Sequence, residues 1–246
     1  MDFLFSSQYL HDNTFMRLDK YLSNYSGLSR KEAKLAIKQG DVLVDSHAAR
    51  DPQQDVNPQQ DIRLGGLPIA PRGPRYFMLN KPLGCVCANS DPQHPTVIGL
   101  FNEEDDVTQL HVAGRLDMDT TGLVLVTDDG QWSHRITAPK HKMPKRYQVT
   151  LQHPISAQAE AQFADGILLR NEHKRTRPAQ LHITDEHHVE LVIYEGRYHQ
   201  VKRMFAAIGN HVLALHRCAI GSLQLDPQLA AGAYRPLTTE EIEQLS

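Results

Sequence analysis

Three cysteines among 246 residues are too few and too awkwardly placed for a disulfide framework or a zinc site. Cys85, Cys87 and Cys218 cannot all pair within one chain, and Cys85-Val86-Cys87 lacks both the spacing of a zinc knuckle and a CxxC partner nearby. They are expected to be reduced packing residues, with no metal bound. No apolar run approaches the roughly 18 residues of a spanning helix, and Met1 to Leu10 lack the basic leader and apolar core of a signal peptide. A cytoplasmic protein without a membrane anchor is the expectation. Internal repeats and low-complexity tracts are missing as well. Nor is there a large excess of charge: the net value of −3 excludes a uniformly basic, histone-like binder, although binding depends on where charge sits rather than on its sum. What is present is 40% hydrophobic content, enough to close a core in one large domain or two smaller ones.

Charge is concentrated near the front. Between Arg17 and Gly40 six basic residues, Arg17, Lys20, Arg30, Lys31, Lys34 and Lys38, face two acids, Asp19 and Glu32, for a local charge of +4. Leu18, Tyr21, Leu22 and Tyr25 follow the spacing of one apolar helix face, and Gly27 ends that helix. Ser29-Arg30-Lys31-Glu32 has the form of a capping box at the start of a second helix, which Gly40 stops. Arg30, Lys34 and Lys38 recur every four residues on that helix, so they line one face as a cationic ridge, while Ala33, Ala36 and Ile37 pack inward. Asp41 to Asp45 then reads as a short strand, with another near Ile62. The segments RLDKYLS and GLSRKEAKLAIKQGDVLVD resemble the S4-like RNA-binding module over roughly Met16 to Leu64. Residues 1–15 precede it as an extension without clear periodicity.

Six of the thirteen positions from Arg63 to Arg75 are Gly or Pro, which disfavours helix and weakens strand pairing. A linker is expected over 65–75, with a larger domain over 76–246. Short β-branched or aromatic runs follow at Tyr76 to Leu79, Gly122 to Thr127, Tyr147 to Leu151, Val189 to Tyr194 and His211 to Leu215. Helical stretches are expected near Ala157 to Phe163, from Tyr198 to Ile208, and after the Thr238-x-x-Glu241 box. This order fits an α+β domain with a mixed, mainly antiparallel sheet better than a βαβ repeat.

The most informative stretch runs from His111 to Gly130, HVAGRLDMDTTGLVLVTDDG. Two apolar strands flank a turn containing Gly114, Arg115, Asp117, Asp119 and Gly122, a rigid place to present a carboxylate. Asp117, Asp119, Thr121, Gly122 and Asp128 also fall at EF-hand positions, but the last should be Glu and the flanks should be helices. Turn capping accounts for Asp119, Asp128 and Asp129. It accounts less well for Gly-Arg-Leu-Asp.

That stretch resembles the catalytic motif of pseudouridine synthases, with Asp117 on the aspartate of its GRLD element. The resemblance implies that Asp117 is the indispensable catalytic group. KRYQV resembles the motif whose tyrosine stacks on the target base, which gives Tyr147 that role. EGRYHQVKRMF resembles the motif whose basic residue pairs with the aspartate. By register that residue is Lys202, with Arg203 the less favoured neighbour. Arg115 in the first motif is a further RNA contact, and Gly196-Arg197 should open a helix whose amides and arginine hold a phosphate.

The chemistry suits these residues. Breaking the bond from N1 to C1′, turning the base and joining C5 to C1′ oxidises nothing and consumes no water, so neither cofactor nor metal is implied. The base must leave its stack, which an aromatic face can offset in part. Asp117 must be ionised to act as nucleophile or base, and a nearby cation favours that form. The similarity runs from Met16 onward, including LNKP at Leu79 to Pro82, DPQHPT at Asp91 to Thr96 and YRPL at Tyr234 to Leu237. It is nearest the RsuA-type branch, which joins an S4-like module to this catalytic domain and modifies 16S ribosomal RNA. The implied partner is 16S RNA or the assembling small subunit, met by a monomer. Two other readings stay open: a synthase of large-subunit (23S) RNA, and a noncatalytic RNA-binding assembly protein. The basic loop from Lys140 to Lys145 has no assigned contact.

Overall fold

A computed structural model describes residues 15–245 except 58, 72, 105, 139, 141 and 142. The extension expected over 1–15 lies, apart from Phe15, outside the described residues. The chain divides between Gly73 and Pro74 into two compact units.

In the first unit β1 (Met16–Arg17) leads into α1 (Leu18–Tyr25) and α2 (Arg30–Gln39). Next come β2 (Val42–Val44), β3 (His47–Ala48), β4 (Asp55–Val56), β5 (Ile62–Leu64) and β6 (Leu67–Pro68). The Ser29 hydroxyl accepts from the Glu32 amide while the Glu32 carboxylate accepts from the Ser29 amide, and Gly40 stops α2 at φ 91°. Leu18, Tyr21, Leu22, Ala33 and Ile37 bury the facing sides of both helices against Val42, Val44 and Ile62 of a four-stranded antiparallel sheet, ordered β3-β2-β5-β6. The stretch expected to begin the linker differs here. Gly65 and Gly66, both at positive φ, turn the chain so that β6 pairs with β5, and the Tyr21 hydroxyl donates to the Ile69 carbonyl at 3.0 Å. Glycine marks a hairpin at this point, not a free tether.

The second unit contains β7 (Tyr76–Lys81), β8 (His111–Ala113), β9 (Thr121–Thr127), α3 (Gly130–Thr137), β10 (Lys145–Leu151), α4 (Gln158–Ala164) and β11 (Gln180–Ile183). It continues through β12 (His188–Ile193), α5 (Gln200–Ala207), β13 (Val212–Ile220), β14 (Leu223–Gln224), β15 (Tyr234–Pro236) and α6 (Thr239–Glu243). The sheet runs β11-β12-β10-β13-β9-β7-β15, with β8 also on β9 and β14 on β13. Its pairings are antiparallel except β9 with β13, so the sheet is mixed and mainly antiparallel.

Strand β9 is apolar at successive positions because it is covered on both sides. Val124 and Val126 join Phe77, Phe163, Met204 and Phe205 in one core, and Leu123 and Leu125 join Met78, Trp132 and Ile136 in the other. Each such side chain contributes roughly 1.5–3 kcal/mol on full burial. Helix α3, absent from the sequence expectations, follows from Asp129, which accepts from the amides of Gln131 and Trp132. No helix among the described residues is long and apolar enough to cross a membrane.

Candidate active site

The connection from β8 to β9 carries the GRLD element, and buried groups fix it from beneath. Leu116 is buried, and its amide donates to Cys87 Sγ at 3.3 Å; the Thr120 amide donates to the Asp117 carbonyl. Lys81 is fully buried and donates to the carbonyls of Pro82, Met118 and Thr120 at 3.1, 3.3 and 2.7 Å. Burial pushes its pKa down, and the carbonyls satisfy its three N–H donors. Arg217, also buried, reaches from β13 to the carbonyls of Leu123 and Gly114. Gly122 is required where β9 meets β13. Its φ is 102°, and a Cβ there would sit 2.3 Å from the Arg217 carbonyl oxygen.

Above this base Asp117 stands in a cleft of about 1070 Å³, as large as the biggest typical small-molecule sites. Lys202 of α5, 85 residues away in sequence, donates from Nζ to Asp117 Oδ2 at 3.2 Å. It also bonds Asp119 Oδ1, so one ammonium is shared by two carboxylates. Burial opposes the charge on Lys202, but the bonds to Asp119 and Asp117 outweigh it and hold its pKa above the ordinary value. The same contact holds the Asp119 carboxyl below its usual range. His199 approaches from the other side, with Nε2 3.5 Å from Asp117 Oδ1. Tyr147, 6% exposed at the centre of the sheet on β10, lines the same cleft. The arrangement presents the Asp117 carboxyl group, a lysine cation paired with it and an aromatic ring. Among the described residues no group of three or more His, Cys, Asp or Glu is placed to hold a metal ion.

Comparison with known proteins gives this geometry its family. A family model of RNA pseudouridylate synthases matches residues 75–207, and one of the S4 domain matches residues 16–62. This chain belongs to the RNA pseudouridylate synthases. It is 54% identical to the ribosomal small subunit pseudouridine synthase A of Yersinia pestis, over 92% of this chain and 97% of that protein. The protein of that name from Haemophilus influenzae is 50% identical over 94% of this chain and 99% of its own length. A crystal structure of a pseudouridylate synthase covers 94% of this chain and 100% of its own, at 49% identity and a TM-score of 0.69.

Seen as a pseudouridylate synthase, the chain departs from the sequence expectations at several residues. Asp119 is not a turn cap: it shares Lys202 with Asp117. Asp129 does cap a helix, and Asp128 binds both the amide and the guanidinium of Arg75. Helix α5 starts at Gln200, two residues later than expected, because His199 sits in the left-handed region at φ 46° and ψ 37°. Arg197 therefore lies a turn upstream of the helix. Its guanidinium is engaged by Glu172, Glu195 and the carbonyls of Lys174 and Arg175, so it braces the loop and is not placed as the expected phosphate contact. Arg203 points away from Asp117, toward Glu172 and the carbonyls of Arg170 and Tyr198. Arg115 is exposed on the cleft wall with no ion pair among the described residues, which leaves it open to a phosphate.

In the S4 unit the cationic ridge is organised by a buried acid. Asp19 is fully buried, with Arg17 Nη2 and Arg30 Nη2 both 2.9 Å from its carboxylate and Lys34 Nζ 3.8 Å away. Burial works against its charge, but hydrogen bonds from Arg17 and Arg30 hold the carboxyl below its ordinary range. Charge reversal at Arg30 and Lys34 would put acids around a buried carboxylate and destabilise the unit. Lys20, Lys31 and Lys38 are exposed and unpaired among the described residues. Lys31→Glu with Lys38→Glu is expected to weaken RNA binding and flatten its salt dependence by about 0.7–0.9 log units per lost phosphate contact. The melting temperature should stay unchanged. Titrations at three salt concentrations check this.

Lys145 also faces the cleft, donating from Nζ to the Met143 carbonyl at 3.1 Å. Burial, then the nearby Arg217, push its pKa down to about 8. An ammonium that sheds its proton more readily in the folded state opposes folding while charged. Stability is therefore expected to rise as pH goes from about 8 toward the ordinary lysine value of 10.5. Lys145→Met should flatten that rise, as thermal melts at a series of pH values would show.

Proposed function

We propose that this chain isomerises one uridine of 16S ribosomal RNA to pseudouridine, with Asp117 as the reacting carboxylate, Tyr147 as the stacking partner of the flipped base and Lys202 as the counter-cation. The observation that carries this reading is the meeting of Lys202 with Asp117, across 85 residues, in the cleft that Tyr147 lines. Asp117 either attacks ribose C1′ or removes a sugar proton, and both steps need its ionised form. With N1 released, the uracil turns on Tyr147 until C5 faces C1′, the new bond forms, and the proton lost from C5 is balanced by one taken up at N1. The process is redox-neutral and consumes no water, so the protein acts without a cofactor or metal.

The choice of small-subunit RNA rests on relatives that carry that substrate in their name over nearly their whole length. Arg17, Lys20, Arg30, Lys31, Lys34 and Lys38 of the S4 unit and Arg115 at the cleft supply sequence-independent affinity for phosphates. The protein works as a monomer in the cytoplasm, on 16S RNA or the assembling subunit. Incubation with unmodified 16S RNA, free and as protein-bound particle, followed by mapping of pseudouridine, tests the proposal. A single new pseudouridine in 16S RNA is expected. Modification of large-subunit RNA alone would move the substrate, and tight binding without modification would make the protein an assembly factor.

A further inference from the structure

Tyr198 is 77% exposed, while Arg197 and His199 on either side of it are half-buried. One of its faces is covered by His199, with ring centroids 3.8 Å apart and an interplanar angle of 18°. His199 in turn reaches Asp117, and both rings line the reaction cleft. We propose that Tyr198, backed by His199, is a second base-binding subsite, on which the unpaired base adjoining the target uridine stacks while that uridine occupies the reaction pocket. The inference rests on the proposed RNA substrate and adds to it a neighbour that is read by stacking.

Three independent features favour a nucleic-acid base as the occupant. The platform is rigid: Arg203 donates to the Tyr198 carbonyl at 3.1 Å while tied to the Arg170 carbonyl and Glu172. The backbone of His199 is held in the left-handed region, which a non-glycine residue adopts rarely. That conformation lays its ring against Tyr198 and turns its Nε2 toward Asp117. Charge completes the set. Arg115, exposed and unpaired among the described residues on the same cleft wall, complements the phosphate of an entering strand. A flipped uridine leaves its neighbour without a stacking partner, and an aromatic face accepts any base.

Steady-state turnover on the form of 16S RNA that the wild type modifies, compared for Tyr198→Ala, Tyr198→Phe and Tyr198→Trp, is the first test. Alanine should raise KM roughly tenfold, the loss of one base–aromatic stack, with the change falling on KM and not on kcat. Phenylalanine and tryptophan should stay within about twofold of the wild type, since only the ring is needed. The second test uses a short single-stranded RNA with one uridine flanked by 2-aminopurine. Its fluorescence should be quenched on binding the wild type, and less so on binding Tyr198→Ala. An unchanged KM with alanine, an equal loss with phenylalanine, or a defect confined to kcat would each overturn the subsite; the last would mean that Tyr198 acts through His199 on Asp117. A wild type that quenches but forms no pseudouridine would remove the proposed reaction and leave the subsite standing.

Discussion

Asp117→Asn is expected to abolish pseudouridine formation, lowering kcat by at least about 10⁴-fold, the upper end for a positioned acid or base, while RNA binding changes little. The amide keeps the shape of the side chain but is neither nucleophile nor base. Folding should be spared, because the loop is anchored beneath Asp117: Leu116 is buried in the core, Lys81 holds the Met118 and Thr120 carbonyls of the turn, and Arg217 holds Gly114. The variant also leaves Lys202 with a charged partner in Asp119. Equal melting temperatures for the two proteins, with pseudouridine mapped only in RNA treated with the wild type, would identify the reacting group. Residual activity above about 1% would transfer the essential role elsewhere, with Asp119 the next carboxylate to replace.

Local patterns were legible wherever the determinant is itself local. The Ser29–Glu32 and Thr238–Glu241 boxes cap helices as their spacing implies, and the short β-branched apolar run of β9 lies in a sheet as its composition implies. The family motifs singled out Asp117, Tyr147 and Lys202, and the fold brings all three to one cleft. What escaped depends on partners far along the chain. The spacing around Asp119 is that of a turn residue, and only the approach of α5 makes it a ligand of Lys202. Asp19 looks like one acid among many cations until α1 and α2 pack and bury it between Arg17, Arg30 and Lys34. Lys81 gave no sign of full burial, because its three acceptors are carbonyls, which no side-chain pattern encodes. Arg197 shows the converse. Its motif position suggests a phosphate contact, but Glu172 and two carbonyls already hold it.

Lys202→Gln should lower kcat by about 10²–10³-fold, comparable to removing one preorganised electrostatic group from an active site, and should change the pH dependence as well. In the wild type the ammonium stands between two carboxylates, with its own pKa held above the usual lysine value, so it stays charged through the whole neutral range. Glutamine leaves Asp117 and Asp119 facing each other with no lysine between them, and the repulsion of two like charges favours protonation of the pair. Activity requires the ionised carboxylate and is lost as pH falls, so the acid limb of the kcat profile should move to higher pH and alkaline buffer should restore part of the rate. The sign excludes titration of Lys202 as the cause. Asp119→Asn should have opposite consequences in the two backgrounds. Added to Lys202→Gln it removes the competing negative charge and should return the acid limb toward its original position. Made alone it leaves Lys202 wholly to Asp117 and should shift the profile little. Lys202→Arg keeps the charge but presents a planar fork where a compact ammonium was shared, so it should retain the wild-type pH profile with an intermediate kcat. A glutamine variant with wild-type kcat and an unmoved acid limb would show that the pairing seen in the cleft holds the loop in place without contributing to the reaction.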